Sequence, residues 1–326
     1  MKKTRGLLIA VMAVALVAMF ALVACGGGQS ASSSQKADEK LSVNSEPVQQ
    51  GPVLRTDPFY VLVVGSDTRT GTAGIKEKDY ANGSARSDTM MLVRVDPKTH
   101  QLTLLTIPRD TATEVNGSTG KLNEVFTEGG INELKNAVKD LTGVMPDYYM
   151  ICTFVTFQDL INDLNGLKVN VPVDQSMKDV VTGEQMEFPA GEQTLNGAEA
   201  LIFARERHAY DPNGEVYRQS NDRYIVKTII EKILNDPSLA GEVAGKLYSD
   251  IETDFSASEL AAYAKDFMDN AKKVTFLSGT GPWEGDMDDA SGMWLTVRDE
   301  DTWKKLMKVV NEGGDPNDVV EGLSAQ

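Results

Sequence analysis

Ten arginines lie outside the N-terminal segment of this 326-residue chain. Seven of them, Arg69, Arg86, Arg109, Arg205, Arg207, Arg218 and Arg223, sit in or beside loops that follow expected strands, whereas the lysines are spread along helices and a polar N-terminal stretch. A guanidinium fork binds phosphate oxygens in pairs and stays charged when desolvated, so this partition points to a pocket for an oxygen-rich anion. Taken singly, each arginine has 48 acidic residues to choose from, and a surface ion pair is the simpler reading. The set resists that reading. Arg205 and Arg207 are two apart, so an extended backbone projects both to one face with Glu206 turned away, and an anion between them would relieve their repulsion. Asp67, in Gly65-Ser66-Asp67-Thr68-Arg69, and Asp88, in Arg86-Ser87-Asp88-Thr89, supply the complement. If their strands are neighbours, both carboxylates reach one sheet edge. A Mg²⁺ ion takes one or two carboxylates and leaves its other positions to water and phosphate. Each aspartate alone reads more simply as an ordinary turn former. Asp110, beside Arg109, reads either as the base for an attacking hydroxyl or as the salt-bridge partner that orients Arg109.

The elements that must position these residues are legible from hydrophobic pattern. Phe59 to Val64 is an unbroken apolar run ending at Gly65, which predicts a strand buried on both faces. Met90 to Val95 and Leu102 to Ile107 predict a hairpin across Asp96-Pro97-Lys98-Thr99. Ile131, Leu134, Val138 and Leu141 recur at helical spacing before Gly143, as do Phe157, Leu160, Ile161 and Leu164 before Gly166. Val169, Val171 and Val173 alternate as a strand, and a helix is expected from about Asn221 to Leu234. Ser256 and Glu259 form a capping box ahead of Leu260, Tyr263, Ala264 and Phe267. Val274 to Leu277 and the Trp303, Leu306, Met307, Val310 series complete the pattern as strand and helix. The expected fold is a single α-β-α domain, a central mixed sheet covered by helices, without an internal repeat.

The N-terminus reads as an export signal: Lys2, Lys3 and Arg5 precede an apolar run from Leu7 to Val23, and Leu22-Val23-Ala24-Cys25 fits a lipobox. The division expected is residues 1–24 a lipoprotein signal peptide, 25–56 a flexible tether, 57–313 the catalytic domain and 314–326 a C-terminal tail. Cys25 would carry the lipid. An uncleaved membrane helix is the alternative, and in either case the remainder faces outside the membrane. Removing residues 1–24 takes away three basic groups and no acidic ones, so the formal charge moves from −16 to −19. Such a surface disfavours nucleic acid as a partner. Cys152 reads as a small core residue. His100 and His208 have no evident partner and read as surface residues. Trp283 and Trp294 lie in a Gly- and Asp-rich segment and suit sugar stacking or core packing about equally.

The succession Val64-Gly65-Ser66-Asp67-Thr68-Arg69, Arg86-Ser87-Asp88-Thr89, Ile107-Pro108-Arg109-Asp110, Lys121-Leu122-Asn123, Gly197-Ala198-Glu199-Ala200-Leu201 with Arg205-Glu206-Arg207, and Arg218-Gln219 closely resembles the LytR-CpsA-Psr family over nearly all of residues 58 to 310. The resemblance implies a phosphotransferase that moves a glycan from a polyprenyl diphosphate carrier to a peptidoglycan sugar hydroxyl, working at the outer face of the bacterial membrane. It implies that Asp67 and Asp88 hold Mg²⁺ and that Arg69, Arg86, Arg109, Arg205, Arg207 and Arg218 grip the diphosphate, with Lys121 and Gln219 as secondary contacts. Where many members have a further arginine three residues before the Arg-Gln pair, this chain has Glu215, so that contact is lost or Arg223 supplies it from the next helix. The expected partners are the lipid-linked glycan donor, the peptidoglycan acceptor and, through the lipid anchor, the membrane. An apolar groove for the carrier's tail is expected between sheet and helices. A polyprenyl diphosphate phosphohydrolase and a non-catalytic glycan-binding regulator are the alternative functions.

Overall fold

The computed structural model describes residues 52, 54–67, 86–210, 213–236, 238–239 and 250–322. The expected leader, Cys25, most of the tether and Arg69 lie outside the described residues. None of the described helices is long and apolar enough to cross a membrane.

The frame is a sheet of β1 (Phe59–Ser66), β2 (Ser87–Asp96), β3 (Gln101–Ile107), β6 (Tyr148–Thr153), β11 (Glu252–Thr253) and β12 (Thr275–Thr280). Between these come the small hairpin β4 (Ala112–Val115) and β5 (Ser118–Lys121), the strands β7 (Leu167–Val171) to β10 (Gly191–Leu195), and a last hairpin, β13 (Gly285–Met287) and β14 (Trp294–Thr296). The order is β11-β6-β1-β2-β3-β12. β1 runs parallel to β6 and β3 to β12, while β1/β2, β2/β3 and β6/β11 are antiparallel, so the sheet is mixed as expected. Every residue of β1 is buried. Its side chains divide by the twofold period of a strand: Phe59, Val61 and Val63 join one core cluster, Tyr60, Leu62 and Val64 the other.

Helices cover both clusters. α1 (Leu122–Thr142) and α6 (Glu300–Asn311) close one face, with Phe126, Leu134, Val138, Trp303 and Leu306 turned inward. α2 (Phe154–Asp163), α3 (Gly197–Arg205), α4 (Gly214–Asn235) and α5 (Ala257–Asp269) close the other. Burying each of these large apolar side chains stabilises the fold by about 1.5–3 kcal/mol. Capping is explicit in the sequence: Ser256 accepts from Glu259 N–H while the Glu259 carboxylate accepts from Ser256 N–H. Gly143 ends α1 in the left-handed conformation, φ 75°. Cys152 is fully buried, and burial pushes its thiol well above the usual range.

Three boundaries and one histidine depart from expectation. Leu54 already packs against the core, and Arg55 pairs with Asp147, so the domain begins before residue 57. It continues past 313: Pro316 and Val320 are buried, and Pro316 packs so close to Gly279 that a Cβ there would lie 2.5 Å from it. α4 begins at Gly214, two turns ahead of the predicted Asn221. His100 is buried, not superficial; its ring meets the Asp266 carboxylate at 3.1 Å and the Phe267 ring edge-on.

Candidate active site

The C-terminal ends of β1, β3, β6 and β12 and the start of β2 meet at one edge of the sheet, the place where open α/β sheets bind ligands. Asp67 and Arg86 join there: Asp67 N–H donates to the Arg86 carbonyl, and Arg86 N–H donates to Asp67 Oδ1 at 2.9 Å. Across the pair of strands Gly65 faces Thr89 and Ser66 faces Ser87, leaving Asp88 as the extra residue of a β-bulge. Bulges re-aim a side chain. Asp88 is wholly buried, accepts from Arg109 Nη1 at 3.1 Å through Oδ1, and keeps a buried Oδ2 without a hydrogen-bond partner.

Arg109 follows β3 in the turn at Pro108 and spans three carboxylates: Asp88 at 3.1 Å, Glu215 at 3.5 Å and Asp110 at 3.8 Å. Burial draws its guanidinium down, but Glu215 and Asp88 outweigh that and its pKa is raised. The loop is tied to α1, whose Asn123 N–H donates to the Arg109 carbonyl at 3.0 Å. Lys121, just ahead of α1, pairs with Asp110 at 2.8 Å.

The first two turns of α4 supply the opposite wall. Arg218, buried to 1%, donates through Nε and Nη2 to Glu215 at 3.1 and 2.6 Å and through Nη1 to Asp222 at 3.0 Å and Thr89 at 3.2 Å. The cost of burial opposes its charge, but Glu215 and Asp222 raise its pKa. Burial works against the Glu215 carboxylate as well, yet Arg109 and Arg218 hold it down to about 2. Asp222 is the exception, pushed up to about 7 because burial exceeds the pull of Arg218. Gly214 is required at the head of this helix, since a Cβ would lie 2.0 Å from the Arg207 carbonyl oxygen.

Arg205 and Arg207 do not alternate on a strand. Arg205 is the last residue of α3, buried to 3%, with its guanidinium over the Phe154 ring at 5.4 Å; Arg207 is exposed beyond the turn. Glu206 does not face away into solvent. It is buried and accepts the N–H groups of Arg207, His208 and Ala209. Arg205 makes no ion pair among the described residues, and burial lowers its pKa to about 10, so it remains a cation at neutral pH. Asp88, Arg109 and Arg218 act on it electrostatically. Gln219 accepts from Thr280 Oγ1 at 2.7 Å and keeps a buried Nε2 without a partner. Arg223 stands apart: it is on the same helix as Arg218, donates to Thr106 at 2.9 Å, and has Asp222 as its electrostatic neighbour.

The donors suit a hard cation. Among the described residues no group of three or more His, Cys, Asp or Glu side chains is arranged to hold a metal. Asp88 offers a buried, unpartnered carboxylate oxygen beside Asp67, the sparse set that Mg²⁺ accepts when phosphate completes its shell. Sequence reasoning missed the role of Glu215 as a shared counterion. Its signal was the i, i+3 spacing to Arg218.

Buried arginines thus converge with carboxylates at the strand ends of a mixed α/β sheet. The comparisons name the family: the LytR_cpsA_psr family model matches residues 23–311, and the chain belongs to that family. The chain is 30% identical over 296 residues to the polyisoprenyl-teichoic acid–peptidoglycan teichoic acid transferase TagV of Bacillus subtilis (strain 168), covering 85% of this chain and 72% of that protein. Similarity to TagU of the same organism is 28% over 290 residues, covering 87% and 84%. The crystal structure of B. subtilis TagV superposes with a TM-score of 0.64 at 28% identity, over 79% of this chain and 98% of that one. The chain is thus an enzyme, a transferase of this family.

Proposed function

We propose that the protein moves a phosphate-linked glycopolymer from a polyprenyl diphosphate carrier onto a peptidoglycan sugar hydroxyl, held by Cys25 at the outer face of a bacterial membrane. The observation that carries this reading is Arg205: a buried guanidinium with no ion pair among the described residues, electrostatically joined to Asp88, Arg109 and Arg218. Asp88 and Asp179 favour its charge without forming an ion pair with it; a buried cation lacking a direct partner is costly, and a bound phosphate removes that cost. The names of the relatives, transferases of polyisoprenyl-linked teichoic acid to peptidoglycan, agree with a diphosphate donor and a sugar acceptor.

In the proposed reaction the acceptor hydroxyl oxygen attacks the glycan-bearing phosphorus, the bond from that phosphorus to the bridging oxygen breaks, and polyprenyl monophosphate leaves. Phosphoryl transfer of this kind needs in-line positioning and stabilisation of charge on the non-bridging oxygens more than a strong nucleophile. Arg109, Arg205 and Arg218 supply preorganised donors for those oxygens, with Arg86 and Arg207 at the rim. Asp110, held by Lys121 at 2.8 Å beside Arg109, receives the hydroxyl proton, and a loose transition state asks little of that transfer. The carboxylates Asp88, Asp110, Glu215 and Asp222 already offset much of the arginine charge, so a diphosphate calls for a further cation. Mg²⁺ held by Asp88 and Asp67 would neutralise phosphate charge there. The carrier's tail belongs on the face under α2 to α5, where Phe154 meets Arg205.

The test is product analysis by mass spectrometry. A short polyprenyl diphosphate-linked glycan is incubated with a peptidoglycan oligosaccharide and Mg²⁺. The expected product is a glycan–phosphate–peptidoglycan adduct, absent for Asp88→Asn and Arg109→Ala. Intact carrier, or free phosphorylated glycan alone, would refute the transferase reading.

A further inference from the structure

A cavity of about 360 Å³ opens against Arg109, within the size range of small-molecule sites. One wall is formed by the β13/β14 hairpin, which brings Trp283 and Trp294 to it, and the facing wall by Glu215, Val216 and Gln219 of α4, with Asp110, Asn213 and Glu284 as further polar groups. The hairpin is fastened to the loop that carries Arg109: Thr296 N–H donates to the Asp110 carbonyl at 2.9 Å, and Thr111 bridges Thr296. Val297 N–H donates to the Glu284 carbonyl at 2.9 Å, which closes the hairpin on itself.

The two indoles are placed differently. Trp283 packs partly against the core cluster shared by α1 and α6. Trp294 is 39% exposed, an unusual state for the largest apolar side chain. Its ring lies across the Gly285 backbone, where a Cβ would come within 2.6 Å of it. The absence of a side chain at Gly285 thus gives the ring a flat seat beside the cavity. Flat aromatic faces flanked by carboxylate and amide groups are the chemistry that binds a pyranose, whose C–H face stacks on the ring while its hydroxyls donate to carboxylates.

We propose that this cavity seats the acceptor sugar of peptidoglycan, an inference that rests on the transferase reading above. The hairpin wall distinguishes acceptor from donor. Arg205 and Phe154 stand on the α2 to α5 side of the sheet, where the carrier belongs, whereas Trp283 packs on the opposite cluster. An in-line displacement brings the attacking oxygen from the side opposite the leaving group. Arg109 joins the two, pairing with Asp88 and lining the cavity.

The experiment titrates the full-length protein, in detergent, with the N-acetylglucosaminyl-N-acetylmuramyl disaccharide, following tryptophan fluorescence and saturation-transfer NMR without any donor present. Trp303 is buried and serves as a constant background. The wild type should bind saturably and Trp294→Ala about tenfold more weakly. In assays of transfer, the same variant should raise KM for the acceptor and leave KM for the lipid-linked donor unchanged. Circular dichroism verifies its fold, and Glu284→Gln, on an exposed side chain, is a second variant expected to weaken the same disaccharide. Equal disaccharide binding by wild type and both variants would overturn the proposal, as would a raised donor KM alone. Because disaccharide binding is read without turnover, loss of the transferase reading leaves this measurement intact.

Discussion

Glu215 offers the sharpest test of the site's electrostatics. Its carboxylate is shared by Arg109 at 3.5 Å and Arg218 at 2.6 Å and is held down to about 2, against an ordinary value of 4.5. At 1.36 kcal/mol for each pKa unit, that gap corresponds to about 3 kcal/mol of stability at neutral pH. Glu215→Gln keeps a hydrogen-bond acceptor but loses the charge, so a loss of about 2 kcal/mol is expected, or roughly 4–8 °C in Tm for a domain of this size. The sign is fixed by the direction of the shift. A depressed carboxyl pKa stabilises the fold above pH 4.5, and the contribution is lost as pH falls towards 2. At pH 3 less than half remains, and the gap between wild type and variant should shrink accordingly. Thermal unfolding at pH 7 and pH 3 reads this directly. The same substitution frees Arg109 and Arg218, so pyrophosphate affinity at pH 7, read by isothermal titration, should rise several-fold. A variant with unchanged Tm at pH 7, or a gap that does not shrink on acidification, would refute this account of Glu215.

Arg109→Lys keeps the charge but breaks the fork that reaches Asp88, Glu215 and Asp110, and kcat/KM for transfer should fall about 10²-fold or more with the fold retained, as followed by product formation and circular dichroism. Gly214→Ala must move the head of α4 away from the Arg207 carbonyl; about 1–3 kcal/mol of stability should be lost, measurable by denaturant titration, with activity falling alongside. Cys25→Ser should abolish metabolic labelling with a fatty-acid analogue and release the protein from washed membranes unless the apolar leader is retained as a helix.

Much of the frame was legible because apolar pattern and local chemistry agreed. The β1 to β3 runs, the Ser256/Glu259 capping box and the Trp303 to Val310 helix each combine propensity with a buried face. The site was less legible where function inverts the pattern. The first two turns of α4 bury Arg218, Gln219 and Asp222, so a helix facing the site reads as a polar loop and its start was placed at Asn221 instead of Gly214. Arg205 and Arg207 were assigned to one face of an extended segment, whereas the end of α3 separates them. The β4/β5 hairpin has only four residues in each strand, ATEV and STGK, too short and too polar for an apolar alternation to betray it. The place of Asp88 at the sheet edge follows once its strand neighbours that of Asp67, but its burial and the bulge that aims it are matters of register, which a single strand's sequence does not encode.

The most direct measurement of the central claim is the fate of the glycan-bearing phosphorus. A donor carrying ³²P in that phosphate is given to the enzyme with Mg²⁺ and peptidoglycan oligosaccharide. The label should enter the peptidoglycan-linked product while unlabelled polyprenyl monophosphate accumulates. Label remaining on the lipid, or released as inorganic phosphate while the glycan is still transferred, would contradict it.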